Sequence, residues 1–206
     1  MKKENDLKIE KRKKEILKAA LKVFARKGYH QANVSDIASE AGVSQGTIYH
    51  YFSSKEELLI NAFEQEELNL FYNNLTSKVK SCNSATEKLS LLANETSKKL
   101  EISRDLLLAS VEFWSHIPQN PKIQEKANES FYRMRKAIET ILLEGIQNGE
   151  FQAVNTEHVA SLMIAVFDGL IVQCLANKNE LDWQAISQTL TQIVLDGIKK
   201  EPSNGK

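Results

Sequence analysis

The sequence predicts an all-α protein of about nine helices, and three observations carry that expectation. Apolar residues recur at intervals of three and four almost throughout the chain, as one face of a helix requires. No stretch sustains the strict alternation of a half-buried strand. The 206 residues include only 3 Pro and 8 Gly, too few for the tight turns of a β-rich chain. Hydrophobic residues make up 42%, enough for a packed core, and the length suits one large domain or a small one joined to a medium one.

Each element has its own local reason. Ile16, Leu17, Ala20, Leu21 and Phe24 form the inward stripe of a first helix, which Gly28 ends as a left-handed cap. Asn33, with Asp36 three residues on, opens a short second helix that turns Val34, Ile37, Ala38 and Ala41 inward and stops at Gly42. A third short helix starts at Ser44 and ends near Phe52. Ser54 and Glu57 read as a capping box opening a long helix from about residue 55 towards residue 80. Residues 86–100 and 104–116 read as two more helices, interrupted by Ile117-Pro118. Asn120 followed by Pro121 restarts the pattern, a cap with proline at the first helical position, and Gly149 closes that helix. Residues 156 to about 177 and 183–199 complete the set.

Net charge is zero, with 27 Lys+Arg against 27 Asp+Glu, which excludes a wholly basic nucleic-acid coat and an acidic disordered chain. The charges are divided, however. Residues 1–55 hold 12 Lys/Arg against 6 Asp/Glu, and the remainder hold 15 against 21. Such asymmetry points the first part at a polyanion, although a solvated basic helix has the same composition. No uninterrupted run of about 18 apolar residues occurs, so no membrane span is expected. The charged start lacks the apolar stretch of a secretory signal, and Cys82 and Cys174 lie far apart without metal-ligand spacing. A cytoplasmic protein with reduced thiols is expected. The nucleotide-binding glycine patterns and the zinc H-E-x-x-H are absent. None of His30, His50, His116 and His158 follows a Glu by three residues, as a di-iron bundle requires. Neither catalysis nor a metal or other cofactor is expected.

Residues 33–52, NVSDIASEAGVSQGTIYHYF, carry the functional signal. Ala38 is small where two helices cross closely, Gly42 supplies the tight turn, and Ile37, Val43 and Ile48 fill the wedge. The outward side of the second helix of the pair then shows Ser44, Gln45, Gly46, Thr47, Tyr49 and His50. That polar, mostly short face suits a DNA major groove ~12 Å wide. An ordinary helical hairpin has the same spacing, but here it lies in the basic half with no evident core for its polar face.

Residues 13–60 resemble the N-terminal domain of the TetR family of bacterial transcriptional regulators. The matching segments are F-x-x-x-G-Y (Phe24, Gly28, Tyr29), V-x-x-I-A-x-x-A-G-V (from Val34 to Val43) and T-I-Y-x-Y-F-x-x-K-E-x-L (from Thr47 to Leu58). The resemblance implies a helix-turn-helix at 33–52 inside a three-helix DNA-binding domain at 8–55, followed by a helical ligand-binding and dimerisation domain at 56–206. Ser35 matches a position that approaches DNA, often through a longer side chain. Ser44, Gln45, Gly46 and Thr47 open the recognition helix. Tyr49 and His50 match phosphate- or base-contacting positions, and Lys55 matches a basic residue that holds a phosphate. Gly46 departs from a reading side chain, which shifts specificity towards Gln45 and DNA shape. Lys11, Arg12, Lys13 and Lys14 are either further backbone contacts or a solvated face.

The last two helices carry continuous apolar stripes. Val159, Leu162, Met163, Val166 and Leu170 lie on one, and Ile186, Leu190 and Ile193 on the other. Packing inside their own domain is one reading; the resemblance implies a four-helix interface with a second copy. Phe113, Trp114, Phe131, Met134 and Phe167 are the candidate walls of an effector pocket, whose composition favours an apolar or aromatic small molecule. Glu112, Arg133 and Arg135 either orient a polar group on that ligand or are simply exposed. The expectation is a homodimeric repressor on a near-palindromic double-stranded operator, released by a small-molecule effector and independent of membranes. A helical scaffold with a structural hairpin, or an effector-independent DNA-binding factor, are the alternatives.

Overall fold

The computed structural model describes residues 2–71, 78–79, 81–102, 104–176 and 182–200. Among them nine helices follow one another: α1 (Lys2–Lys27), α2 (Val34–Ala41), α3 (Gln45–Tyr51), α4 (Lys55–Phe71), α5 (Ala85–Ile102), α6 (Arg104–Ser115), α7 (Pro121–Gln147), α8 (Thr156–Ala176) and α9 (Trp183–Ile198). No strand occurs among the described residues, only an isolated antiparallel bridge between Phe151 and Lys199. The expected continuation of the fourth helix through 72–77 and to residue 80, and the end of the eighth at residue 177, lie outside the described residues.

The expected caps form with one adjustment. The Asn33 N–H donates to Asp36 Oδ2 at 3.0 Å. Ser44 Oγ accepts from the Thr47 N–H at 3.1 Å. Asn120 Oδ1 accepts from the N–H groups of Lys122 and Ile123 at 3.0 and 3.2 Å, ahead of Pro121. Ser54 Oγ accepts from the Glu57 N–H at 3.1 Å as expected, but the Glu57 carboxylate reaches one residue further back. It takes the Ser53 N–H at 2.7 Å and the Ser53 hydroxyl at 2.6 Å. Those bonds hold the Glu57 carboxyl below its ordinary pKa against a smaller upward push from burial.

The helices form two compact units. The first comprises residues 1–69 and 103–128. In it α1 packs on α2 and on α6, and α2 on α3, around Ile16, Val23, Phe24, Ile37, Ile48 and Leu58. It takes in nearly all of α4, α6 and the start of α7 as well as residues 8–55. Phe63 of α4 stacks on Phe113 of α6, ring centroids 4.1 Å apart and nearly parallel. Glu56 accepts from Asn120 Nδ2 at 2.6 Å and pairs with Lys122 at 3.3 Å, which holds its carboxyl low.

The second unit comprises residues 70–102 and 129–206. Its core joins Leu89, Leu92, Ile138, Leu142, Phe151, Met163 and Leu195. Phe151 lies so close to Gly145 that a Cβ there would stand 2.1 Å from the ring. Glu150 caps α5 from 65 residues away, accepting from Ala85 N–H at 2.9 Å and from Thr86 N–H at 3.1 Å. Burial pushes its carboxyl up, and these bonds more than offset that push. The chain ordering gave no local signal for this cap.

Candidate nucleic-acid interface and ligand cavity

The interface begins with a buried wedge. Ile37 and Ala38 of α2 and Ile48 of α3 are all buried, as their spacing requires. The chain reverses between them at Gly42, whose φ of 63° is open to a residue without Cβ. The following Val43 N–H returns to the Ala38 carbonyl at 2.9 Å. With the wedge closed, α3 has one outward side. Ser44, Gln45, Gly46 and His50 are exposed on it, Tyr49 stands 55% exposed, and Ser35 is exposed on α2. Thr47 is half-buried, its hydroxyl 2.9 Å from Ser44 Oγ, so these two oxygens serve the cap as well as the surface.

Lys55 departs from expectation. Its ammonium is turned into the protein, donating to the carbonyls of Tyr29 at 2.7 Å and Ala32 at 3.0 Å, with His30 O at 3.5 Å. It also lies 4.4 Å from the centroid of the Tyr29 ring. An ammonium has three donors, and three carbonyls of the turn between α1 and α2 take them. The structure thus gives Lys55 a role in holding that turn, beside the phosphate contact that the family resemblance implies.

The basic charge of α1 divides along its length. Lys27 pairs with Asp36 at 2.7 Å, while Lys22 and Arg26 approach Glu40 at 3.4 and 3.6 Å. These pairs tie α1 to α2 and depress the Asp36 carboxyl, chiefly through the Lys27 hydrogen bond. Nearer the start of α1, Lys8, Lys11 and Arg12 line a groove with Tyr51 at the end of α3. Arg12 shares its charge with Glu15 at 2.9 Å.

Glu112 supports the same turn. Its Oε1 accepts from the Tyr29 N–H at 2.6 Å and lies 3.4 Å from His116 Nε2. The Tyr29 ring packs edge-on against His116 at 4.8 Å. Burial raises the Tyr29 hydroxyl above its ordinary pKa, and the charge of Glu56 adds to the rise.

In the second unit, three helices enclose a small cavity. Leu92, Ala93 and Thr96 come from α5, Met134 and Ile138 from α7, and Met163, Ile164, Phe167 and Asp168 from α8. Of the five expected pocket residues, Met134 and Phe167 line it. Phe113, Trp114 and Phe131 do not: α6 belongs to the first unit, where Phe113 is consumed by its stack on Phe63, and Phe131 is half-buried elsewhere on α7.

The expected interface stripe splits in two. Leu162, Val166 and Ile193 are 66%, 37% and 65% exposed, and Val159, Ile186 and Leu190 are half-buried. Met163 and Leu170 are instead buried in the protomer's own core, because the apolar arc of α8 is wider than any one face. That width also bears on the expectation about membranes. With a mean hydropathy of 2.1, α8 is long and apolar enough to cross one by length and composition, and only 22% of its apolar window is buried.

Residues 16–62 match the family model for bacterial regulatory proteins of the tetR family, and residues 85–198 match that for the C-terminal part of BetI-type transcriptional repressors. The chain belongs to the TetR family. It is 32% identical over 185 residues to the fatty acid metabolism regulator protein of Bacillus subtilis, covering 89% of this chain and 94% of that one. The crystal structure of Bacillus subtilis FadR with stearoyl-CoA superposes with a TM-score of 0.81 at 30% identity, covering 89% and 98% of the two chains. A transcriptional regulator from Saccharomonospora viridis in complex with choline gives 0.78 at 27% identity, covering 92% and 98%.

This TetR-family chain is accordingly a ligand-responsive, DNA-binding transcriptional regulator. Sequence reasoning found its recognition helix because the helix-turn-helix is a local pattern. It missed the clamp formed by Glu112, Tyr29 and Lys55 because those partners lie 83 and 26 residues apart. The only trace in the sequence was an acid, Glu112, within the mostly apolar second half of α6.

Proposed function

We propose that the protein represses transcription as a cytoplasmic homodimer and lets go of its operator when a small, largely apolar ligand enters the cavity of the second unit. The observation that carries this reading is the exposed polar side of α3, set on an apolar wedge. Gln45, Gly46, Tyr49 and His50 are presented to the groove, and Lys11 and Arg12 approach the flanking phosphates. A single seven-residue helix reads few bases, so two copies reading half-sites about one helical turn apart supply the specificity. The exposed side of α8 and α9, centred on Leu162, Val166 and Ile193, supplies the pairing surface. A self-complementary interface buries the same stripe on both copies. For signalling, α7 contributes Ile123 and Ala127 to the first unit's core and Met134 and Ile138 to the cavity wall, so a ligand that displaces the wall acts on a helix shared with the first unit.

The relatives named above bind ligands as different as stearoyl-CoA and choline, so the ligand class has to come from the lining of this cavity. The test is an anisotropy titration of labelled duplex taken from upstream of the protein's own coding sequence, with sedimentation of the same samples. A dimer is expected, bound more weakly as salt rises, with a log–log slope of about −0.9 for each phosphate neutralised. A monomer that ignores every duplex at low salt contradicts the proposal.

A further inference from the structure

The cavity wall holds one charged group, and that group has no partner. Asp168 accepts no hydrogen bond and meets no cation among the described residues. In the same wall, Thr96 Oγ1 is buried and makes no hydrogen bond. They come from different helices, α8 and α5, and everything else around the void is aliphatic, thioether or aromatic. An ionised carboxylate in such surroundings is unfavourable until a counter-charge or a donor reaches it.

We infer that the ligand is a lipophilic cation, with an apolar body against Phe167, Met134 and Ile138 and an ammonium-type centre that pairs with Asp168. This rests on the proposal that the cavity is the effector site. An anionic head would add repulsion to the existing penalty, and a neutral donor would supply a hydrogen bond but no counter-charge. The void measures about 50 Å³, room for about four water-sized groups, which is the size of a compact ammonium head. The flexible Met134 and Met163 side chains are the parts of the wall that yield to the tail. Burial alone raises the Asp168 carboxyl to about 6. The residues that α5 and α7 present to the cavity, Leu92, Ala93, Thr96, Met134 and Ile138, do not titrate, and neither do Met163, Ile164 and Phe167 of α8. A cation that needs the ionised form therefore binds more tightly as pH rises through that value.

The experiment is calorimetric titration of the full chain with octylammonium, octan-1-ol and octanoate, three ligands of one length and different charge. Octylammonium is expected to bind about tenfold or more tighter than octan-1-ol. Asp168→Asn should abolish that preference, and Asp168→Glu should keep part of it. Equal or tighter binding of octan-1-ol or octanoate to the native chain overturns the inference, as does a preference that survives in Asp168→Asn. Ala93→Phe fills the void, with Ala93→Met as a gentler filling checked for helicity. If the ligands bind and these variants block them without any preference for the cation, only the charge assignment fails. If no ligand binds, or filling the void changes nothing, the cavity is not the ligand site and the charge assignment fails with it.

Discussion

The Glu112 carboxylate of α6 accepts a hydrogen bond of 2.6 Å from the backbone N–H of Tyr29, 83 residues earlier in the chain. Through this bond a helix outside the helix-turn-helix fixes the turn that leads into it. Removing the acceptor strands a part-buried N–H, which costs about 1–3 kcal/mol. Glu112→Ala should therefore lower the melting temperature by about 3–6 °C and weaken operator binding, although Glu112 belongs to neither α2 nor α3. Calorimetry and anisotropy check the pair of effects. A variant that loses stability while binding DNA normally would show that the bond is structural only.

Lys55 has a phosphate role implied by the family resemblance and a turn-holding role seen in the structure, and one substitution separates them. If its ammonium holds the carbonyls of Tyr29 and Ala32, Lys55→Met loses stability as well as DNA affinity, because those carbonyls lose their donor. A residue acting only on phosphate would lose affinity at unchanged melting temperature. Tyr49→Ala is the reference: exposed and uninvolved in the wedge, it should weaken binding by about tenfold while the circular dichroism and melting curve stay put.

Asp168 gives a pH signature with a definite sign. Its carboxyl is raised from 3.8 to about 6 in the folded chain, so between those values the native state holds the proton that the unfolded state has released. Stability from this group is fully present below the unfolded value and is lost as pH rises through about 6. Asp168→Asn should melt higher than the native chain at pH 8 and no higher at pH 4. Equal melting temperatures at both pH values would mean that the carboxyl is solvated or paired.

The pairing surface is tested at two exposed positions. Val166→Glu and Ile193→Asp place charge on the outward stripe of α8 and α9 without entering the core. Both should sediment as helical monomers and lose most of their operator affinity. Met163→Glu offers a contrast, since it strikes the protomer's core and should unfold the chain. A dimer that persists in both surface variants moves the interface elsewhere.

The helices were legible because each carries its own instructions. Asn33, Ser44 and Asn120 announce where helices begin, and Gly28, Gly42 and Gly149, all with φ between 63° and 75°, announce where they stop. The exposed side of α3 followed directly from the wedge of Ile37, Ala38 and Ile48. The cavity was legible only in part. Met134 and Phe167 share periodicity with residues that point elsewhere, and no pattern says that Phe113 stacks on Phe63. Asp168 drew no notice because an acid on an apolar helix usually reaches water. Its burial depends on cavity residues of α5 and α7, the nearest of which in sequence, Ile138, is 30 positions away.

The central claim is that two copies of α3, paired through α8 and α9, read a symmetric DNA site. Selection of a random-sequence duplex library on the purified full-length protein, followed by sequencing of the retained molecules, tests it most directly. The account predicts enrichment of an inverted repeat whose half-sites lie about one helical turn apart or slightly more, lost in the Val166→Glu and Tyr49→Ala variants. Retention without any shared sequence, or of a single unrepeated half-site, contradicts it.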